Sequence, residues 1–167
     1  QADTALYRAK ADGRDTYRFY ETQMGQEVHM RRLMEHDLRH AVSRKELSLV
    51  YQPQKKLDTG ETIGFEALLR WHHPRHGSIS PTVFIPVAEE SDAITAIGDW
   101  VLETACKDAA SWNDRLTVAV NVSAVQLRNP EFARKVHRVL LRTGLPLFRI
   151  EIETTETALG RDMNRTL

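Results

Sequence analysis

The stretch LTVAVNVSA, residues 116–124, constrains the fold more than any other part of this sequence. It is an almost unbroken apolar run, which is typical of a strand that is buried on both faces. Strands of this kind occur mainly in parallel sheets that are covered by helices. Asn121 interrupts the run, and this polar residue needs a partner or a function because an unpaired polar group in a buried strand is costly.

An alternation of strands and helices surrounds this stretch. The turn residues at 58–60, DTG, connect two predicted strands too closely for a parallel crossover, so that pair should be antiparallel. From the second strand onward, the order β-α-β-α-β predicts an α/β fold with a parallel sheet and helical crossovers. The predicted strands cover residues 47–57, 61–71, 116–124 and 148–156, and the predicted helices cover residues 81–90, 91–112 and 129–144.

The first 46 residues have a different character. Residues 1–20 hold a short helical pattern followed by TYRFY, which is too little for a core and is typical of the end of a domain. Residues 21–46 predict a long charged helix, either an interdomain connector or a solvated helix with one apolar face. Because the sequence begins with Gln1 rather than Met, we expect it to be a piece of a longer protein.

The charge balance and the cysteine count limit which partners and which cysteine-based sites the chain can have. The chain has 23 basic and 23 acidic residues, so no global field attracts DNA, RNA or an anionic membrane, although a local site for a small anion remains open. A single cysteine, Cys106, excludes an intrachain disulfide framework and a CxxC metal cluster. No apolar run is long enough for a membrane span. We therefore expect a cytoplasmic segment without membrane contact, which is compatible with a membrane anchor upstream in the parent protein.

Three polar residues lie in predicted strands: Glu66, Asn121 and Glu153. Near the carboxyl ends of neighbouring parallel strands, such side chains converge at one mouth of a barrel or one edge of a sheet. Two carboxylates and an amide oxygen suit Mg²⁺ or Mn²⁺ rather than structural zinc. The alternative is plain exposed strand faces, which the alternating acids of EIETTE also fit, and the residues alone do not decide between the two.

Five ordered blocks carry a resemblance to a known family. They are YQPQ at 51–54, EALLR at 66–70, FIPVAEE at 84–90, NVSAVQL at 121–127 and EIETTE at 151–156. Together they resemble the EAL domain, the cyclic di-GMP phosphodiesterase family, over about residues 30–167. The opening ADTALYRAKADGR resembles the closing segment of a GGDEF (diguanylate cyclase) domain. The resemblance implies a GGDEF remnant at 1–20, a connecting helix at 21–46 and the N-terminal portion of an EAL domain at 47–167.

The resemblance implies a fold, a reaction and a set of site residues. The fold is a TIM-like (β/α)₈ barrel with an antiparallel first strand, of which about half is present. The reaction is hydrolysis of cyclic di-GMP to linear pGpG with Mg²⁺ or Mn²⁺. By this resemblance the metal ligands are Glu66, Asn121 and Glu153, the catalytic residues are Glu66 and Glu156, and the substrate-binding residues are Gln52, Leu69, Arg70, Pro86 and Asn121.

The sequence departs from the family pattern after the last strand. The family's paired aspartates, its lysine and a further glutamate are not found in TALGRDMNRTL, residues 157–167. We therefore expect the fragment alone to be inactive, and its uncovered strand edges to favour pairing as a homodimer. The parent protein is then either an active phosphodiesterase or an inactive EAL domain that acts as a cyclic di-GMP receptor or protein-interaction module.

Other chemically conspicuous residues are expected to be structural. His72, His73 and His76 follow a strand, are predicted to lie in a loop and are not part of the family motif. Cys106 is expected to be a small buried apolar residue of a helix. The three tryptophans, Trp71, Trp100 and Trp112, are expected to pack in the core or between helices.

Overall fold

The structure is a computed structural model that describes residues 22–113 and 115–154. The predicted GGDEF remnant at 1–20 and Glu156 lie outside the described residues. The elements are α1 Thr22–Ala41, β1 Leu47–Lys55, β2 Thr62–His73, β3 Gly77–Ile79, α2 Pro81–Glu90, α3 Ala93–Ala110, β4 Thr117–Asn121, α4 Ala124–Leu127, α5 Phe132–Thr143, a 3₁₀ turn Leu147–Arg149 and β5 Ile150–Glu153.

One mixed sheet organises the described residues. Its strand order is β1-β2-β4-β5, and the short β3 pairs with the end of β2. β1 runs antiparallel to β2, whereas β2, β4 and β5 are mutually parallel neighbours. The antiparallel first pair and the parallel crossovers are therefore confirmed. The short connection at 58–60 leaves no length for a crossover between β1 and β2.

The hydrophobic core lies on one face of this sheet. Trp71 of β2 packs edge-on against Phe84 of α2, with ring centroids 5.5 Å apart, and both side chains are fully buried. Val118 and Val120 of β4 point to the same side and belong to the same cluster. We call this side, which α2 and α3 cover, the helix-covered face. Burying each such side chain stabilises the fold by roughly 1.5–3 kcal/mol.

Helix α1 docks on this layer rather than standing free. Leu38 and Ala41 are buried in the core, and Arg31 pairs with Glu90 of α2. This helix thus packs on the sheet and on the helices C-terminal to it, and its role as an interdomain connector stays a prediction. None of the helices in the described ranges is long and apolar enough to cross a membrane.

One detail at the end of β2 differs from the sequence prediction. His72 and His73 belong to strand β2 and not to a loop, because β2 continues into a hairpin with β3. Gly77 adopts φ +69° at this hairpin, a left-handed conformation that glycine accepts without strain. The predicted end of the last long helix is confirmed, since Gly144 terminates α5 with φ +73° and its N–H bonds to Leu140.

Candidate functional site

The side chains opposite the core form a second, polar surface, which we call the open face. Strand alternation assigns Glu66 and Arg70 of β2 to this face, while Ala67 and Trp71 point to the helix-covered face. The pairing register extends the assignment to the neighbouring strands. The open face comprises Ser48, Val50, Gln52 and Gln54 of β1, Glu66, Leu68 and Arg70 of β2, Thr117, Ala119 and Asn121 of β4, and Glu151 and Glu153 of β5.

Glu66 and Asn121 are in direct contact on the open face. Asn121 Nδ2 donates a hydrogen bond to Glu66 Oε1 at 2.6 Å. The register explains the contact, because Glu66 is paired with Ala119 and Asn121 is the next residue of β4 on the same face. A hydrogen bond to an ionised carboxylate is shorter and stronger than a neutral one. The polar residue that interrupts the apolar strand thus has a charged partner.

Glu153 lies beside this pair at the carboxyl end of β5. It is the register partner of Asn121, and its carbonyl accepts a hydrogen bond from Val122 N–H at 2.8 Å. Its side chain accepts a second hydrogen bond from Gln54 Nε2 of β1 at 3.4 Å. The structure therefore places Glu66, Asn121 and Glu153 on one face of three adjacent strands.

The contact between Gln54 and Glu153 shows that the sheet is strongly curved. β1 and β5 are separated by β2 and β4, so a flat sheet would place them three spacings apart, roughly 14 Å. A 3.4 Å contact between their side chains requires the sheet to curl around the open face. The open face is thus concave, and it gathers side chains that are distant in the chain.

Besides Asn121, two of the substrate-binding candidates lie on this concave face. Gln52 is exposed and is the cross-strand partner of Glu66. Arg70 is on the same side of β2, and its guanidinium donates to the carbonyl of Leu69 at 2.9 Å. An exposed amide and a guanidinium thus lie on the same face of the sheet as the Glu66 carboxylate, and both can donate hydrogen bonds to an anionic ligand.

Leu69 and Pro86 do not join this group. The Leu69 side chain is on the opposite side of β2 and packs against the core, because adjacent strand residues point to opposite faces. Pro86 is exposed inside α2, whose buried residue Phe84 packs on Trp71 of the helix-covered face. The structure thus brings neither side chain to the open face.

A helix-capping motif holds the backbone in place directly after Asn121. Ser123 accepts a hydrogen bond from Val125 N–H at 3.2 Å, and Gln126 Oε1 accepts one from Ser123 N–H at 3.3 Å, which makes a capping box at the start of α4. Gln126 also lies against Gly98 of α3, where an added Cβ would be 1.9 Å from its Nε2. The sequence prediction does not include this motif, although the SAVQ spacing is its signal.

His73 has a structural partner on the helix-covered side. Arg75 N–H and His76 N–H donate to its Nδ1 at 3.1 and 3.3 Å, so Nε2 is the nitrogen that donates to Asp37 Oδ2 at 3.0 Å. His73 and Asp37 are both buried. The pair ties α1 to the end of β2, which supports the structural interpretation of this histidine.

Asp37 is the most strongly perturbed carboxyl of the described residues outside the open face. The hydrogen bond with His73 lowers its pKa most, burial opposes this effect, and hydrogen bonds with Arg44, His36 and Arg75 lower it further. The net result is a pKa well below the ordinary aspartate range. Asp37 is therefore ionised at neutral pH and acts as an anchor for cationic and histidine partners.

The tryptophans and the cysteine have packing roles, as the sequence predicted. Trp71 is fully buried, Trp100 is half-buried against the core, and Trp112 packs edge-on against Tyr51 and Phe65 at 4.9 and 5.0 Å. Burial raises the pKa of the Cys106 thiol to about 11. A buried thiol with a raised pKa is unreactive at neutral pH.

The donor set on the open face suits a hard cation. Within the described part of the chain, no three His, Cys, Asp or Glu side chains are grouped closely enough to hold a metal ion. The side chains of Glu66, Asn121 and Glu153 instead offer two carboxylates and one amide oxygen. Oxygen donors of this kind suit Mg²⁺ or Mn²⁺. These three residues are the ones that would hold a hard divalent cation on the open face.

The part of the chain that matches a known protein family contains all the residues of the open face. The sequence profile of the EAL domain matches residues 35–167. This chain belongs to the EAL domain family. Phosphodiesterases with EAL domains depend on divalent metal ions, which agrees with the oxygen donors on the open face. The match does not extend to residues 1–20, so the predicted GGDEF remnant is not part of it.

Two curated relatives of this EAL domain align over nearly the whole chain. An uncharacterized signaling protein of Caulobacter vibrioides is 51% identical over 166 residues, which are 99% of this chain and 20% of that protein. The bifunctional diguanylate cyclase/cyclic di-GMP phosphodiesterase MucR of Pseudomonas aeruginosa is 41% identical over 170 residues, 99% of this chain and 25% of MucR. The chain thus spans a fifth to a quarter of these relatives.

A solved EAL structure has the same fold. The MucR phosphodiesterase in complex with c-di-GMP superposes with a TM-score of 0.73 at 40% identity, covering 81% of this chain and 56% of that chain. The mixed α/β architecture of the described residues is therefore that of EAL structures.

Proposed function

We propose that the protein carrying this EAL domain hydrolyses cyclic di-GMP to linear pGpG with Mg²⁺ or Mn²⁺. One observation carries the proposal: Glu66, Asn121 and Glu153 converge on the concave face, with Asn121 Nδ2 2.6 Å from Glu66 Oε1. The relative MucR is named as a cyclic di-GMP phosphodiesterase and has been solved with c-di-GMP. Both facts support the same substrate for this chain.

The residues of the open face divide the work in this proposal. Glu66, Asn121 and Glu153 would hold the cation, which supplies neutralisation of phosphate charge and activation of a water when bound. Arg70 can donate two parallel hydrogen bonds to a phosphate, and its present bond to a backbone carbonyl leaves donors over. Gln52 can donate to a phosphate or a base edge.

The proposal extends to parts of the protein that the open face does not contain. We propose that the curved sheet belongs to a TIM-like (β/α)₈ barrel, with Glu156 as a further acid beside the site. Residues 1–20 are proposed to be the end of a GGDEF domain, as the double activity in the name of MucR suggests. The 167-residue chain on its own is expected to give no turnover.

The test is incubation of the natural full-length protein with cyclic di-GMP and Mn²⁺, with pGpG followed by chromatography. We expect turnover by the unchanged protein and a loss of at least about 100-fold in Glu66→Gln, since even residues behind a metal ligand contribute 10- to 100-fold. Lys55→Gln, at the exposed end of β1, is the control. Binding of cyclic di-GMP without turnover would instead identify a receptor and contradict the hydrolytic proposal.

A further inference from the structure

We propose that Gln54 is a positioning residue that holds the Glu153 carboxylate toward Asn121 and Glu66, so that the three form one cation site. This inference rests on the proposed function. Gln54 is in β1, whereas Glu153 is in β5 at the other side of the sheet. Their hydrogen bond, Gln54 Nε2 to Glu153 Oε1 at 3.4 Å, spans the concavity of the open face.

The two carboxylates of the site are held in the same way but from different directions. Glu66 accepts a hydrogen bond from the amide of Asn121 at 2.6 Å. Within residues 22–113 and 115–154, Gln54 is the side chain that donates to the Glu153 carboxylate. A glutamate side chain has three rotatable bonds, so without a donor its carboxylate samples several orientations.

Gly64 leaves the position beside Gln54 on β2 without a side chain. Gly64 is the cross-strand partner of Gln54 in β2, and on its other side it is the partner of Thr117 in β4. A Cβ at this position would be 2.2 Å from Thr117 Oγ1 and 2.8 Å from the Thr117 carbonyl oxygen. Because β2 presents no side chain in this row, Gln54 has no cross-strand side chain directly beside it on β2.

Holding a carboxylate in place raises the affinity of the cation site. Side chains that orient metal ligands typically contribute 10- to 100-fold in metal affinity. Gln54 is itself half-buried and on the open face, next to Gln52 in the alternation of β1. Its amide donor is bonded to the Glu153 carboxylate, so its removal should affect the cation before the substrate.

The experiment measures Mn²⁺ binding to the natural full-length protein by electron paramagnetic resonance, in the absence of nucleotide. Gln54→Met keeps the length of the side chain but removes the donor, and we expect Mn²⁺ affinity to fall about 10-fold. Gln54→Asn is too short to reach Glu153 and should show the same loss. Lys55→Gln is the matched control and should bind Mn²⁺ as the unchanged protein does.

Four outcomes separate this inference from the proposed function. Wild-type Mn²⁺ affinity in both Gln54→Met and Gln54→Asn, or tighter binding, overturns the positioning role alone. Mn²⁺ binding without hydrolysis by the unchanged protein overturns only the hydrolytic function. Failure of the unchanged protein to bind Mn²⁺ overturns both. A raised KM of Gln54→Met for cyclic di-GMP at saturating Mn²⁺, with unaltered Mn²⁺ affinity, would identify Gln54 as a substrate contact. That result would also overturn the positioning role.

Discussion

The two faces of the sheet differ although the same strands build them. On the helix-covered face, Trp71 is fully buried, packs on Phe84 and donates from its indole N–H to Glu46 at 3.0 Å. On the open face, one residue away along β2, Arg70 bonds only to a neighbouring carbonyl among the contacts described. Strand alternation thus separates a surface held by packing from one that presents charge.

This difference teaches which side chains the fold needs and which it leaves free for chemistry. Buried polar groups of the helix-covered side, such as His73 and Asp37, have their hydrogen-bonding atoms engaged by one another and by neighbours. The carboxylates of Glu66 and Glu153 each have one amide donor in the described residues, and unused lone pairs remain. Unused oxygen lone pairs on a concave surface are what a cation requires.

The largest effect on stability is expected for Trp71→Ala. This change removes a fully buried indole and its packing on Phe84, and should lower the free energy of unfolding by about 4 kcal/mol. Urea unfolding of the natural protein, followed by circular dichroism, measures the change. Trp71→Phe retains the ring contact and should cost clearly less. A cost for Trp71→Ala below that of Trp71→Phe would contradict the assignment of this face as the core.

Asp37→Asn is expected to lower the free energy of unfolding by about 3 kcal/mol at neutral pH. The reason is that removal of one partner leaves the other buried polar groups without their charged partner. The pKa of Asp37 is lowered in the folded protein. Its contribution to stability is therefore present above the ordinary aspartate pKa and is lost as pH falls through the lowered folded value.

Urea unfolding of both proteins at several acidic pH values tests this predicted pH dependence. The stability advantage of the unchanged protein over Asp37→Asn should shrink steadily as the pH falls below about 4. Asp99→Asn is the matched control, since Asp99 pairs with Lys135 in a partly exposed ion pair that should contribute less than about 1 kcal/mol. An advantage that stays constant into strong acid would show that Asp37 is not held ionised by its partners.

Gly64→Ala is expected to lower the free energy of unfolding by about 2 kcal/mol, because the new methyl group clashes with Thr117 Oγ1 and with the Thr117 backbone. This substitution is on the open face but acts through strand spacing rather than through chemistry. In the double variant with Thr117→Ala, part of the loss should be recovered, since one of the two clashes is removed. Unfolding measurements on both single variants and the double variant give the coupling between the positions.

The sequence predicts the strands that carry the site better than it predicts the side-chain contacts between those strands. The short DTG connection dictates the antiparallel first pair, and the apolar run around Asn121 identifies the parallel strand that carries it. The contact of Gln54 with Glu153 could not be predicted, because it depends on sheet curvature across strands far apart in sequence. The loop prediction at His73 is wrong because the turn that Pro74 and Gly77 mark is inside a hairpin that prolongs β2.

The smallest effect on stability is expected where the effect on function is largest. Glu66→Gln preserves the shape of the side chain and leaves an amide oxygen to accept from Asn121, so the free energy of unfolding without metal should change by less than about 0.5 kcal/mol. Added Mn²⁺ should raise the thermal unfolding midpoint of the unchanged protein but not that of Glu66→Gln, because a ligand stabilises only the folded state that binds it. A Mn²⁺-dependent shift of equal size in both proteins would place the cation elsewhere and remove the open face from the mechanism.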